Sequence, residues 1–141
     1  MNFEKFIKNN EVEYSKNIIS NEDLQDILLK NEIQIGKQLK EYILQFGYLA
    51  FKQIEFYGIN GIQKEKSDLI KNTLYLNRKF EKTKNFIAIE NKGDGEYYLV
   101  DSKDNVYRYL IDNDKLERQN LKFFDYILKR FEEIYILWKL Y

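Results

Sequence analysis

The sequence contains no cysteine, no histidine and no proline, and only 6 of its 141 residues are glycine. Without cysteine there is neither a disulfide framework nor a thiolate metal site. Without histidine a Ser-His-Asp triad, a Cys-His pair and a His-ligated zinc are all impossible. No Pro-rich or Gly/Ser-rich linker, internal repeat or low-complexity tract breaks the chain, so residues 1–141 read as one domain. Long apolar runs are missing too. The N-terminal stretch MNFEKFIKNNEVEYSK is charged throughout and never reaches the apolar core of a signal peptide, and no later stretch is long enough to span a bilayer. The expected location is the cytoplasm, with no membrane partner.

Net charge is absent as well: 23 basic residues balance 23 acidic ones, which removes any broad attraction to nucleic-acid phosphates or anionic lipid. The distribution is less even. Residues 64–84 hold seven bases against three acids, and residues 85–125 hold nine acids against six bases. What the chain has in quantity is aromatic rings, 12 Tyr and 10 Phe, which supply the burial that makes a folded core rather than disorder the expectation.

The hydrophobic pattern divides into helices and strands. Phe3, Phe6 and Ile7 keep helical spacing up to Asn9-Asn10. Ser20, followed by Glu22 and Asp23, reads as an N-cap with acids in the first turn of a helix that carries Leu24, Ile27 and Leu28 and closes near Asn31. A third helix spans about Lys37 to Phe46, with Leu39, Tyr42, Ile43 and Phe46 on its buried face and Gly47 at the left-handed position that ends it. Residues 48–58 are rich in aromatic and branched side chains, which predicts one or two short strands stopped by Gly58. The basic segment that follows carries a helical stripe of Leu69, Ile70, Thr73, Leu74 and Asn77, with Ser67 as the expected cap. Three strands, 86–90, 96–101 and 105–110, are joined by turn-forming residues and predict an antiparallel meander rather than a parallel nucleotide-binding sheet. From Asn120 onward Phe124, Ile127, Leu128, Phe131, Ile134, Tyr135 and Trp138 repeat every three or four residues and predict a helix packed on that sheet.

Candidate motifs are weak as chemistry. Gly93-Asp94-Gly95 precedes a strand, whereas a phosphate loop leads into a helix, so it reads as a turn. The acids around it lack the spacing and closing glutamate of a calcium loop. Glu132 and Glu133 point in different directions on a helix and make a poor acid/base pair. Tyr97, Tyr98, Tyr107 and Tyr109 could stack nucleic-acid bases only beside a basic groove, and their flanks are acidic. Strand alternation puts Tyr97 and Leu99 on one face and Tyr98 and Val100 on the other, so about half of these rings belong to the core. No catalytic constellation, metal site or cofactor is expected, and no direct contact with nucleic acid.

Three blocks nevertheless carry a resemblance. Glu32-Ile33-Gln34-Ile35-Gly36 leading into Leu39, Tyr42 and Gly47 is the first, and Ile54-Glu55-Phe56-Tyr57-Gly58-Ile59 is the second. The third is Phe86 to Asp101, followed by Val106-Tyr107 and Phe123-Phe124-Asp125-Tyr126-Ile127. In order and spacing they resemble the SUKH superfamily, which includes the fungal Smi/Knr cell-wall-assembly regulators and bacterial YobK-like immunity proteins. One departure is Lys40, where the family usually has proline after the leucine. The resemblance implies an α+β fold, a single domain with a mainly antiparallel or mixed β-sheet flanked by helices. It also implies an immunity protein that binds and neutralises a cognate toxin, often a nuclease, and catalyses nothing. The alternative is a scaffold or regulatory adaptor of the Smi/Knr cell-wall-assembly type. Because nuclease toxins present cationic grooves, the partner contact is expected at an acidic edge formed by Asp94, Glu96, Asp101, Asp104, Asp112 and Asp114.

Overall fold

The computed structural model describes residues 3–15, 18–59 and 68–140, except for the side chains of Phe3 and residues 138–140. Ser67, most of the basic stretch before it and the Trp138 side chain therefore lie outside the described residues. The elements run α1 (Phe3–Asn9), β1 (Glu13–Tyr14), α2 (Asn21–Lys30), α3 (Lys37–Phe46), β2 (Leu49–Phe51), β3 (Ile54–Phe56), α4 (Leu69–Lys79), a 3-10 turn (Glu81–Thr83), β4 (Ile87–Gly93), β5 (Glu96–Val100), β6 (Asn105–Leu110), β7 (Lys115–Lys122) and α5 (Phe123–Leu140). The result is an α+β fold with two antiparallel sheets, ordered β1-β2-β3 and β4-β5-β6-β7.

Helix ends follow local chemistry. The Ser20 hydroxyl accepts from the Asp23 amide at 3.1 Å, as its position before two acids requires. Asp68, not Ser67, caps α4 by accepting from the Lys71 amide at 3.0 Å. Gly47 ends α3 at φ 75°. Gly58 cannot carry a side chain, because a Cβ there would lie 1.5 Å from the Gly47 carbonyl oxygen. This close approach is where β3 leaves the hairpin. The Tyr57 amide then donates to Ile89 O at 2.8 Å, joining the edge of the first sheet to β4.

The meander holds four strands where the sequence pattern indicated three. The fourth, Lys115–Lys122, occupies residues expected to be loop and the start of the last helix, which begins only at Phe123. Its apolar content is two leucines, so its hydrogen bonds to β6 create it rather than hydrophobic alternation. Lys115, Arg118 and Lys122 line this outer strand and discourage edge-to-edge pairing.

One core ties the layers together. Phe131 of α5 is fully buried, stacks on Phe6 with centroids 5.1 Å apart, and meets Phe51 and Phe56 edge-on at 5.7 and 5.5 Å. It thus joins α1, the first sheet and α5. On the second sheet, Tyr98 packs on Tyr126 of α5, while Tyr107 and Tyr109 face the other way onto Phe86 and Phe80. Tyr98 and Tyr109 are buried and Tyr97 and Tyr107 half-buried, so half of the rings are core as expected, but the buried two come from opposite faces because both faces of the sheet are covered.

Candidate functional site

The buried charges come first, because a buried carboxylate is where chemistry could hide. Glu90, midway along β4, is 2% exposed and is paired with Arg130 of α5, whose Nη2 lies 2.8 Å from Glu90 Oε2. Arg130 Nε donates to the same carboxylate at 3.1 Å, and the Tyr126 hydroxyl donates to Oε1. Burial works against the Arg130 charge, yet the hydrogen bonds and field of Glu90 outweigh it and raise its pKa. Desolvation, reinforced by the Glu90 charge, holds the Tyr126 hydroxyl far above its ordinary range. Both oxygens of Glu90 are occupied, so this trio clamps the helix to the sheet. The register of β4 carried a signal for it: Glu90 ends an apolar run, and Arg130 stands beside Phe131 within an apolar stripe.

The six acids expected to form one edge are separated by the fold. In an antiparallel meander the first and third turns share one end and the second lies at the other. Asp94, Glu96, Asp112 and Asp114 stand at the first and third turns, joined by the Ile111 amide donating to Gly95 O at 2.9 Å. Asp101 and Asp104 stand at the opposite end, in the β5–β6 turn. The single edge is therefore corrected to two separate ends, because the length of β5 intervenes.

Their environments differ as much as their positions. Asp104 is 5% exposed, and its carboxylate accepts from the amides of Gln38 at 2.9 Å and Leu39 at 3.1 Å. It caps α3 from a distant part of the chain, since Gly36 at the helix start has no side chain to offer. A Cβ at Gly36 would lie 2.4 Å from the Asp104 carboxylate, so the glycine makes room for the cap. Gln38 passes the arrangement on by accepting from the Phe124 amide at 2.9 Å, at the start of α5. Asp101 folds its own turn by accepting from the Lys103 and Asn105 amides, both at 2.9 Å. Burial opposes its ionisation, but the bonds from Asn105 and Lys103 prevail and lower its pKa.

At the other end, Glu96 accepts from the Tyr98 hydroxyl at 2.9 Å and sits 3.7 Å from Lys92 Nζ. Asp114 accepts from the Tyr109 hydroxyl and lies 3.8 Å from Lys82 Nζ. Desolvation, helped by that bond to Asp114, pushes the Tyr109 hydroxyl up to about 12. Asp94 and Asp112 are exposed. Asp114 is exposed as well, so three of the six are open to solvent.

Two further surfaces stand outside the acidic ends, one of them on the basic segment that the sequence already marked. Along α4, Lys71, Tyr75, Arg78 and Lys79 form an exposed basic strip, with Lys79 Nζ donating to the Tyr75 hydroxyl at 3.0 Å. Behind it, a cleft of about 610 Å³ opens between the α2–α3 connection, α4, the segment leading into β4 and the β5–β6 turn. Asn31, Gln34, Asn77, Asn85 and Ser102 line it, residues scattered over the chain with no common spacing that could have announced them. Among the described residues no group of three or more His, Cys, Asp or Glu is arranged to hold a metal ion, and no helix is long and apolar enough to cross a membrane.

These features describe an α+β domain whose buried charges serve its own architecture and whose polar surfaces face outward. The chain belongs to the SUKH_5 family, described as SMI1-KNR4 cell-wall, whose model matches residues 3–132. No curated protein matches it.

Proposed function

We propose that this chain is an immunity protein: it binds a cognate polymorphic toxin and neutralises it by covering the toxin's working surface. The observation that carries the reading is membership of the SUKH family over residues 3–132, a family whose members are generally immunity proteins and non-catalytic. The chemistry is consistent with it, because the buried Glu90 has both oxygens committed to structure.

In this reading the acidic end at Asp94, Glu96, Asp112 and Asp114 steers the protein toward a cationic toxin surface such as a nuclease groove, while Asp101 and Asp104 serve the fold. Rim charges act mainly on the rate of association. The test is co-expression with the protein encoded by the adjacent upstream gene, read as growth, alongside binding kinetics of the purified pair. The unaltered chain should restore growth, and Asp94→Lys with Asp112→Lys should slow association severalfold at low salt and little at high salt. Growth arrest that the chain does not relieve would overturn the immunity reading. Association unchanged at low ionic strength would remove the acidic end from it.

A second reading, a non-enzymatic scaffold or adaptor in wall assembly, draws on the family's own description as cell-wall. It predicts binding to the cell's own wall-assembly machinery and no protection from the toxin.

A further inference from the structure

We infer that the cleft between the α2–α3 connection, α4 and the β5–β6 turn is the site that locks the partner in place, by taking in an extended, uncharged loop of the toxin through its peptide groups. This rests on the immunity reading and adds to it where and how the toxin is held.

The lining decides the class of ligand. Sites for small molecules are mostly apolar with a few polar groups, whereas this cleft of about 610 Å³ sets four carboxamides and the hydroxyls of Thr73 and Ser102 beside Ile33, Phe86 and Ile87. A carboxamide offers a carbonyl acceptor and N–H donors in one plane, which can pair with the single C=O and single N–H of a peptide group. Glu32 and Lys84 are the charged residues in the lining, and Lys84 Nζ is 2.8 Å from Glu81 Oε2, so a charged ligand has little to gain there.

Two of the carboxamides are already aimed. Asn77 Nδ2 donates to Thr83 O at 2.8 Å and approaches Phe86 O at 3.4 Å, and two carbonyl neighbours fix that end of the side chain as nitrogen. Asn31 Nδ2 likewise donates to Ile27 O at 2.8 Å. Each side chain is therefore held in one orientation with its oxygen still able to accept, which lowers the ordering cost of binding. Gln34, Asn85 and Ser102 make no hydrogen bond among the described residues and complete the set with adaptable donors and acceptors. The capping of α3 by Asp104 holds the β5–β6 turn, which carries Ser102, against the start of α3, into which the Asn31–Gln34 connection leads. Only the 5 residues of β5, roughly 17 Å of strand, separate this end of the meander from the acidic end, so one interface of ordinary size reaches both. Charge then sets how fast the toxin arrives, and the cleft sets how long it stays.

The experiment measures association and dissociation rates of the purified protein encoded by the adjacent upstream gene, with growth protection in parallel. Ser102→Trp fills the cleft, and the double variant Gln34→Ala with Ser102→Ala removes two of its uncommitted hydrogen-bonding groups without adding bulk. Neither side chain holds the fold together, and a urea midpoint equal to that of the unaltered chain confirms it. If Ser102→Trp lowers that midpoint, the double variant decides. Dissociation should accelerate about tenfold or more, with the association rate and its salt dependence unchanged, the opposite of the signature expected for Asp94→Lys with Asp112→Lys. Dissociation within twofold of the unaltered chain would overturn the cleft while leaving immunity standing. A chain that neither binds nor protects overturns the immunity reading, and this inference falls with it.

Discussion

Replacing Asp104 by alanine should be among the most damaging single changes to a residue outside the aromatic core. Its carboxylate satisfies two backbone amides at the start of α3, at 2.9 and 3.1 Å, and the bond to Leu39 is buried. Losing an N-cap side chain costs about 0.5–2 kcal/mol, and leaving a buried donor without an acceptor costs about 1–3 kcal/mol. These overlap because they count the same amide, so the combined loss is on the order of 2–3 kcal/mol. The backbone adds to it: Asp104 sits at φ 66°, which aspartate tolerates better than alanine. Asp104→Asn keeps one acceptor and the left-handed preference, and should lose about half as much. Gly36→Ala drives a methyl into the same carboxylate and should break the same cap, so Gly36→Ala with Asp104→Ala should cost well under the sum of the two singles. Urea denaturation reads all four variants, as a lower midpoint at unchanged slope. A loss below about 0.5 kcal/mol for Asp104→Ala, or strict additivity of the double variant, would refute the cap.

Phe131→Ala should cost about 3–5 kcal/mol, since the fully buried ring touches three other phenylalanines; an unchanged denaturation midpoint would place the core elsewhere. Glu32 occupies the left-handed position after α2 at φ 55°, with its amide and that of Ile33 donating to Leu29 O and Leu28 O, so Glu32→Gly should stabilise the chain by about 1 kcal/mol, readable as a raised melting temperature. Asp101 has its folded pKa lowered from 3.8, so its bonds stabilise the native state above that value and fade as pH falls through the depressed one. Stability measured from pH 5 down to 2 should therefore fall less steeply in Asp101→Asn, and an identical slope would contradict the linkage.

How much was legible in the sequence depended on whether the cause was local. The span of α3 and its closure at Gly47, the Ser20 cap and the turn at Gly93-Asp94-Gly95 follow from side-chain periodicity and short-range backbone preferences, and the sequence by itself determined them. It also determined the two faces of β5, because strand alternation needs no partner. The Ser67 expectation fell one residue short, since Ser67 and Asp68 are both competent caps by residue type and the helix begins at Leu69, with Asp68 as its cap.

What depended on distant neighbours was decided only by the tertiary structure. Strand β7 has too few apolar residues to be seen alone and exists because β6 offers it hydrogen-bonding groups. The six acids read as one edge because a linear sequence does not show which end of a meander a turn occupies. Asp104 in particular has the composition of an exposed turn residue and the role of a helix cap, separated from its partner Gln38 by 66 positions in the chain. The polar cleft assembles from four segments for the same reason. A carboxylate or carboxamide gains its meaning from the groups within about 3 Å of it, and folding alone chooses those groups.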